Sequence, residues 1–111
     1  MVNKFGAKPT TVDGVRFDSR REASRYRELK LLERAGEIRN LRLQVRIDLE
    51  GRDAPLKTRS GRQMRLTVDF CYEDKRLNWA LVYEDAKGKP TRDYEVRKAV
   101  AEAMGYTIKE T

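Results

Sequence analysis

Two runs of strict alternation occupy the middle of the chain and commit it to paired strands with one wet face. From Leu41 the odd positions Leu41, Leu43, Val45, Ile47 and Leu49 are apolar, with Arg42, Gln44, Arg46 and Asp48 between them. That is the period of a strand with one side in a core. Alternation resumes with Met64, Leu66, Val68, Phe70 and Tyr72 on one face and Thr67, Asp69 and Cys71 on the other. Residues 50–63 carry Gly51, Pro55, Ser60 and Gly61 with Arg52, Lys57, Arg59 and Arg62, and read as a polar, cationic loop at a hairpin tip.

Helical signals bracket these strands. Ser19 and Glu22 have capping-box spacing, and Ala23, Tyr26, Leu29 and Leu32 follow at helical intervals, so a first helix is expected over Ser19 to Ala35, ended by Gly36. Trp79 to Ala86 is mostly apolar until two adjacent acids, which suits a central strand ending at a site, and Lys87 to Pro90 breaks it. Asp93 is expected to cap a second helix with the apolar stripe Val96, Ala99, Val100, Ala103 and Met104, ended by Gly105. A short strand, Tyr106 to Ile108, follows. Residues 1–11, with Lys4 and Lys8, read as a basic arm, and Val15 and Phe17 as an extended lead-in. The expected fold is one α/β domain over 1–111, ordered helix, three strands, helix, strand, with a mixed central sheet flanked by helices.

Composition narrows the chemistry. With 25 Lys+Arg against 18 Asp+Glu the formal charge is +7, which favours polyanions and makes nucleic acid the default partner. There is no histidine, so Ser-His and Cys-His nucleophilic sites and His-ligated metals are excluded. The one cysteine, Cys71, has no internal disulfide partner and sits in an apolar run, as an inert buried thiol would. No apolar run reaches membrane-span length and Met1 to Thr11 lacks a signal-peptide core, so a cytoplasmic protein without a membrane partner is expected. Chemistry is left to carboxylates, lysine and a hard cation.

Glu22, Asp69, Asp85 and Lys87 stand out at element ends or on the minority face of an apolar strand. Asp85 and Lys87 are two apart and leave one face of their strand, while Glu84 and Ala86 leave the other. Two carboxylates and the Ala86 carbonyl would hold a hard cation with room for water and a phosphate oxygen. A lysine beside them would orient or deprotonate an attacking water and offset phosphate charge. For Glu22 the competing reading is the reciprocal half of the capping box with Ser19. Glu84 is the rival acid, and a one-residue shift of register would bring it in instead of Asp85.

Asp69 followed by Glu84-Asp85-Ala86-Lys87 resembles the D…(D/E)XK signature of the PD-(D/E)XK nuclease superfamily. The blocks Phe17-Asp18-Ser19, Glu22-Ala23, Tyr26-Arg27-Glu28-Leu29, Leu43-Gln44, Val68-Asp69-Phe70 and Thr91-Arg92-Asp93-Tyr94 resemble a small phage-encoded family grouped with resolvase-like endonucleases. The resemblance spans roughly residues 12 to 110. Val68 stands where the superfamily often has proline. The resemblance implies a restriction-endonuclease-like αβββαβ core, with Asp69 and Asp85 as ligands of Mg²⁺ or Mn²⁺, Lys87 as catalytic lysine, Glu22 completing the site and Gln44 beside it.

Arg20 and Arg21 flank Glu22, Lys89 and Arg92 follow Lys87, and Arg97 lies on the second helix, so these cations, with Lys57, Arg59 and Arg62 of the loop, are candidate phosphate contacts. Arg25 and Arg27 are further candidates, and Tyr72, Tyr83 and Trp79 read as packing aromatics. The expected activity is metal-dependent DNA endonuclease action on branched DNA such as Holliday junctions, in phage recombination, by a homodimer. The alternatives are a catalytically silent module that binds nucleic acid or blocks a nuclease on the same fold, and a basic RNA-binding domain.

Overall fold

The structure, a computed structural model, describes residues 9–111. The core order is the expected one, with a small hairpin added ahead of it. Strands β1 (Thr10–Val12) and β2 (Val15–Phe17) pair antiparallel around Asp13 and Gly14, which have φ of +51° and +77°. Both turn residues are left-handed, as a tight two-residue hairpin requires. The basic arm expected over residues 1–11 therefore gives way to a strand by Thr10, and residues 1–8 lie outside the described residues.

Helix α1 (Arg20–Arg34) begins where Ser19 Oγ accepts from the Glu22 amide at 3.2 Å, and Gly36 follows it at φ +77°. Its inner face, Ala23, Tyr26 and Leu29, packs with Phe17, Ile38, Phe70 and Tyr72. Strands β3 (Ile38–Asp48), β4 (Arg65–Asp74), β5 (Ala80–Asp85) and β6 (Ile108–Glu110) form a four-stranded sheet in that order. The first three are antiparallel and β6 is parallel to β5, so the sheet is mixed. β3 starts earlier than the alternation from Leu41 implies, because a register shift between Arg39 and Arg42, with Asn40 at φ +56°, reverses the parity there.

Helix α2 (Arg92–Ala103) covers the other half of the β3–β4 ribbon. Its cap is Thr91, whose Oγ1 accepts from the Tyr94 amide at 3.1 Å, and not Asp93, which is spent on Arg97 at 3.0 Å one turn on. The buried face is rotated from the expected stripe: Tyr94 and Ala101 are inside, whereas Val96 is 54% exposed and Ala99 and Ala103 face solvent. Arg97, bonded to the Arg65 carbonyl at 2.8 Å, and Lys98, 3.2 Å from Glu110, tie that face to the sheet. β6 lies later than expected, and Tyr106 instead stacks edge-on against Tyr83 at 5.2 Å.

The ribbon changes helices halfway along. Leu43 and Phe70 pack toward α1, but Val45 and Val68, two residues away, pack toward α2. Between them Gln44 has φ +52°, which breaks the pleat and swings the following side chains to the other layer. Leu43 pairs with Phe70 and Val45 with Val68, so Gln44 falls opposite Asp69.

Candidate active site

The break at Gln44 and the end of β5 bring the acids together. Asp85, the last residue of β5, is 1% exposed, and its Oδ1 accepts from the Asp69 amide at 3.3 Å. Asp69 in turn uses Oδ2 to accept from the Ala86 amide at 2.9 Å. The two carboxylates are thus each anchored by the other's strand. From β3, Gln44 Nε2 donates to Asp69 Oδ1 and to Glu22 Oε2, both at 3.4 Å, which draws the first turn of α1 into the same cluster. Glu22 therefore gives its amide to the capping box and its carboxylate to the cluster. A non-glycine residue with positive φ costs about 1 kcal/mol or more, and such strain gathers at functional sites.

Lys87 lies as parity requires, its Nζ 3.4 Å from Asp85 Oδ2 and 4.5 Å from the centre of the Tyr94 ring. Asp85 Oδ2 is buried and receives no hydrogen bond; Lys87 is at ion-pair distance but is not aligned to donate. A buried carboxylate oxygen with an ion-pair partner but no hydrogen bond is costly to keep, and such a group is a candidate for function. Burial and the adjacent Asp69 carboxylate push the Asp85 carboxyl up to about 7, against the pull of Lys87. Burial also raises Asp69, with Glu22 adding to it, and Glu22 is raised by burial and by Asp18 and Asp85. Three acids crowded out of water each resist ionising, a debt that a bound cation would settle.

The donor chemistry fits a hard divalent cation. Among the described residues no group of three His, Cys, Asp or Glu side chains is gathered to hold a metal ion. A small octahedral cation does not need one, since it keeps several waters and binds through one or two carboxylates plus substrate oxygens. Asp69, Asp85 and the Ala86 carbonyl are the residues that could hold it.

Glu84 points away from this cluster and is fully committed elsewhere. Arg25 Nε and Nη2 donate to its two oxygens at 2.6 and 2.9 Å, Tyr72 Oη donates at 2.6 Å and Thr111 Oγ1 at 3.0 Å. Burial pushes the Glu84 carboxyl up, but these donors outweigh it and hold the group below its ordinary value. The rival acid is thus a structural anion. It locks α1 to β5 one turn from Glu22 and one residue from Asp85. Arg25, a candidate phosphate contact by sequence, is consumed in that lock.

The remaining cations separate by position. Arg20, Arg21, Lys89 and Arg92 are exposed around the first turns of the helices and the segment after Lys87, and Arg21 lies against Gly88 and bonds the Thr111 carbonyl at 3.3 Å. Arg97 is held by Asp93 and the Arg65 carbonyl. Lys57, Arg59 and Arg62 are exposed at the far end of the ribbon. Sequence reasoning gave no role to Tyr94, whose ring faces Lys87 while its hydroxyl donates to Glu110 at 3.0 Å. The signal was its place three residues after a capping threonine, which turns it back toward the strand end.

A mixed four-stranded sheet flanked by two helices, with a buried acid pair and a lysine at the end of a central strand, defines an α/β protein with a buried acidic cluster among exposed cations. The model of the family described as "Protein of unknown function (DUF1064)" matches residues 2–110, so the chain belongs to that family. No curated protein and no solved structure matches it. Among the described residues no helix is long and apolar enough to cross a membrane.

Proposed function

We propose that this protein is a metal-dependent DNA endonuclease with a restriction-endonuclease-like core, acting on branched DNA of the Holliday-junction type. The observation that carries the reading is the buried Asp85 carboxylate beside Asp69, whose Oδ2 accepts no hydrogen bond and has the Lys87 ammonium at ion-pair distance. Lys87 Nζ is 3.4 Å from that oxygen and 4.5 Å from the Tyr94 ring centre, so the ammonium sits where it could serve a phosphate beside the acid pair.

Bound Mg²⁺, or Mn²⁺ in its place, would supply Lewis-acid polarisation of the scissile phosphate. The chain's own residues do the rest. Asp69 and Asp85 would hold the cation, with Glu22 tied to Asp69 through Gln44. Lys87 Nζ orients the attacking water and offsets the phosphate's growing negative charge, and Tyr94 keeps the ammonium over the cleft. Arg20, Arg21, Lys89 and Arg92 line the approach with cations that position a phosphate backbone without reading sequence. Two cuts on a symmetric junction need two sites, so the active form is a symmetric homodimer. The place of action is phage recombination or DNA processing in the host cytoplasm.

The test is incubation with labelled four-way junction, duplex and single-stranded DNA in Mg²⁺, Mn²⁺ or EDTA, with Lys87→Ala alongside. Metal-dependent cutting, strongest on the junction and abolished in the variant, is expected. Tight binding indifferent to metal, with no substrate cut, would instead mark a silent DNA-binding module.

A further inference from the structure

The loop between β3 and β4 is cationic by sequence, but its construction is that of a rigid tool. Gln63 lies near its base, and the two hydrogens of its amide nitrogen are shared among three backbone carbonyls, Leu49 at 2.9 Å, Leu56 at 3.1 Å and Met64 at 2.8 Å. Isolated bridges pair Glu50 with Pro55 and Lys57 with Gln63, and Leu56 and Met64 pack beside α2. Beyond this buttressed root the turn closes on itself: the Thr58 amide bonds the Arg62 carbonyl at 2.7 Å, the Arg62 amide bonds Thr58 Oγ1 at 3.2 Å, and Gly61 takes φ +89°.

The turn residues leave their internal bonding to backbone and hydroxyls, and the cations are what remains outside. Lys57, Arg59 and Arg62 are exposed, residues 57–63 contain no acid, and no ion pair within 4.0 Å engages these three among the described residues. A floppy basic loop would contact phosphates adaptively, at the entropic expense of ordering itself. A preformed turn closed by the Lys57–Gln63 bridge and carrying arginines is no wider than the two-stranded ribbon that the DNA major groove, about 12 Å wide, admits.

We infer that the Lys57–Gln63 tip enters the major groove of the duplex flanking the cleft, with Arg59 and Arg62 on groove edges and Lys57 on a phosphate. Arginine is suited to this because its planar fork matches the paired acceptors of guanine, O6 and N7. The reach follows from β4 and the two residues before it: Gln63 is six residues from Asp69, or about 20 Å at 3.4 Å per residue, which corresponds to roughly six base pairs. The tip thus grips one arm of the substrate while the acid pair meets the branch. This step rests on the DNA-cleaving reading for the cleft but makes its own claim, that the tip reads a groove.

The experiment is dimethyl sulfate protection of guanine N7 on a four-way junction with guanines in every arm, with wild type and Arg59→Ala/Arg62→Ala, alongside binding across a salt series. Both side chains are free of internal bonds, so the variant keeps the fold. Wild type is expected to protect guanines about six base pairs from the branch. The variant should lose that protection, bind at least tenfold more weakly, and show a shallower salt dependence. Unchanged protection or affinity in the variant, or no binding by wild type, overturns the inference. Protection without cleavage in Mg²⁺ keeps the tip and removes the nuclease; cleavage without protection does the reverse.

Discussion

Asp85 makes a pH-dependent contribution to stability that a single substitution can isolate. Its carboxyl is raised from 3.8 to about 7, so the folded chain holds this proton more tightly than the unfolded one. Between about pH 4 and pH 7 folding takes up a proton here, and this contribution to stability falls as pH rises through that window. Asp85→Asn, which cannot ionise, is expected to match wild type near pH 4 and to exceed it by about 1 kcal/mol or more at pH 8. Urea denaturation at the two pH values checks this, and a variant less stable than wild type at pH 8 would contradict it. The same substitution is expected to abolish cleavage, since stability and function pull on this residue in opposite directions. At Tyr94 two variants separate ring from hydroxyl. Tyr94→Phe keeps the face over Lys87 and should cut nearly as wild type, whereas Tyr94→Leu loses a contact of about 0.5–2 kcal/mol and should cut several-fold more slowly. Equal rates for the two would show that the ring does not hold the ammonium.

At the scale of elements, α1 is fixed to β5 by charge as well as by apolar packing. In the Arg25–Glu84 pair the carboxylate side chain is 0% exposed and the guanidinium side chain 16%, and Arg25 supplies the one cation paired with that buried charge among the described residues. Arg25→Met leaves Glu84 unpaired among Tyr72 and Thr111, and is expected to cost about 3–5 kcal/mol. Arg25→Met/Glu84→Leu should recover most of that, because a matched apolar pair replaces the charged one. Denaturation midpoints measure both, and a double variant as unstable as the single one would show that the pair is not the cause. None of this lock was legible in the sequence. Arg25 and Glu84 are 59 positions apart, and each has a more ordinary reading as a surface cation or a strand-end acid. Strand parity did show that Glu84 and Asp85 face opposite ways, and the capping spacing at Ser19 set the start of α1 correctly. What misled was local rivalry: Thr91 and Asp93 are both good caps, and only the geometry of the first turn decides for Thr91. Likewise Val96 and Ala99 make a plausible stripe until Arg97 and Lys98 are seen binding the sheet. The Asp13–Gly14 hairpin was legible in principle, since such a dipeptide between Val12 and Val15 is a strong turn signal.

For the molecule as a whole, the site depends on one break in regular structure. The alternation of β3 and β4 runs through Gln44 and Asp69 without interruption in the sequence, yet the ribbon leaves α1 for α2 there. The strain at Gln44 places its amide between Glu22 and Asp69, and the same ribbon then runs on to the cationic tip. Period-2 patterning specifies which residues are buried but not which layer buries them, so the cluster's members could be named before its geometry could be drawn. In the proposed reading the exposed cations would gather phosphate, and the acid cluster would need a cation before it could tolerate that charge. The most direct measurement is therefore Mn²⁺ binding by electron paramagnetic resonance, with wild type and Asp85→Asn compared in the absence of DNA. Wild type is expected to take up Mn²⁺, Mg²⁺ to displace it, and the variant to lose the uptake. Equal Mn²⁺ binding by both proteins, or none by wild type, would contradict the assignment of Asp69 and Asp85 as a cation site.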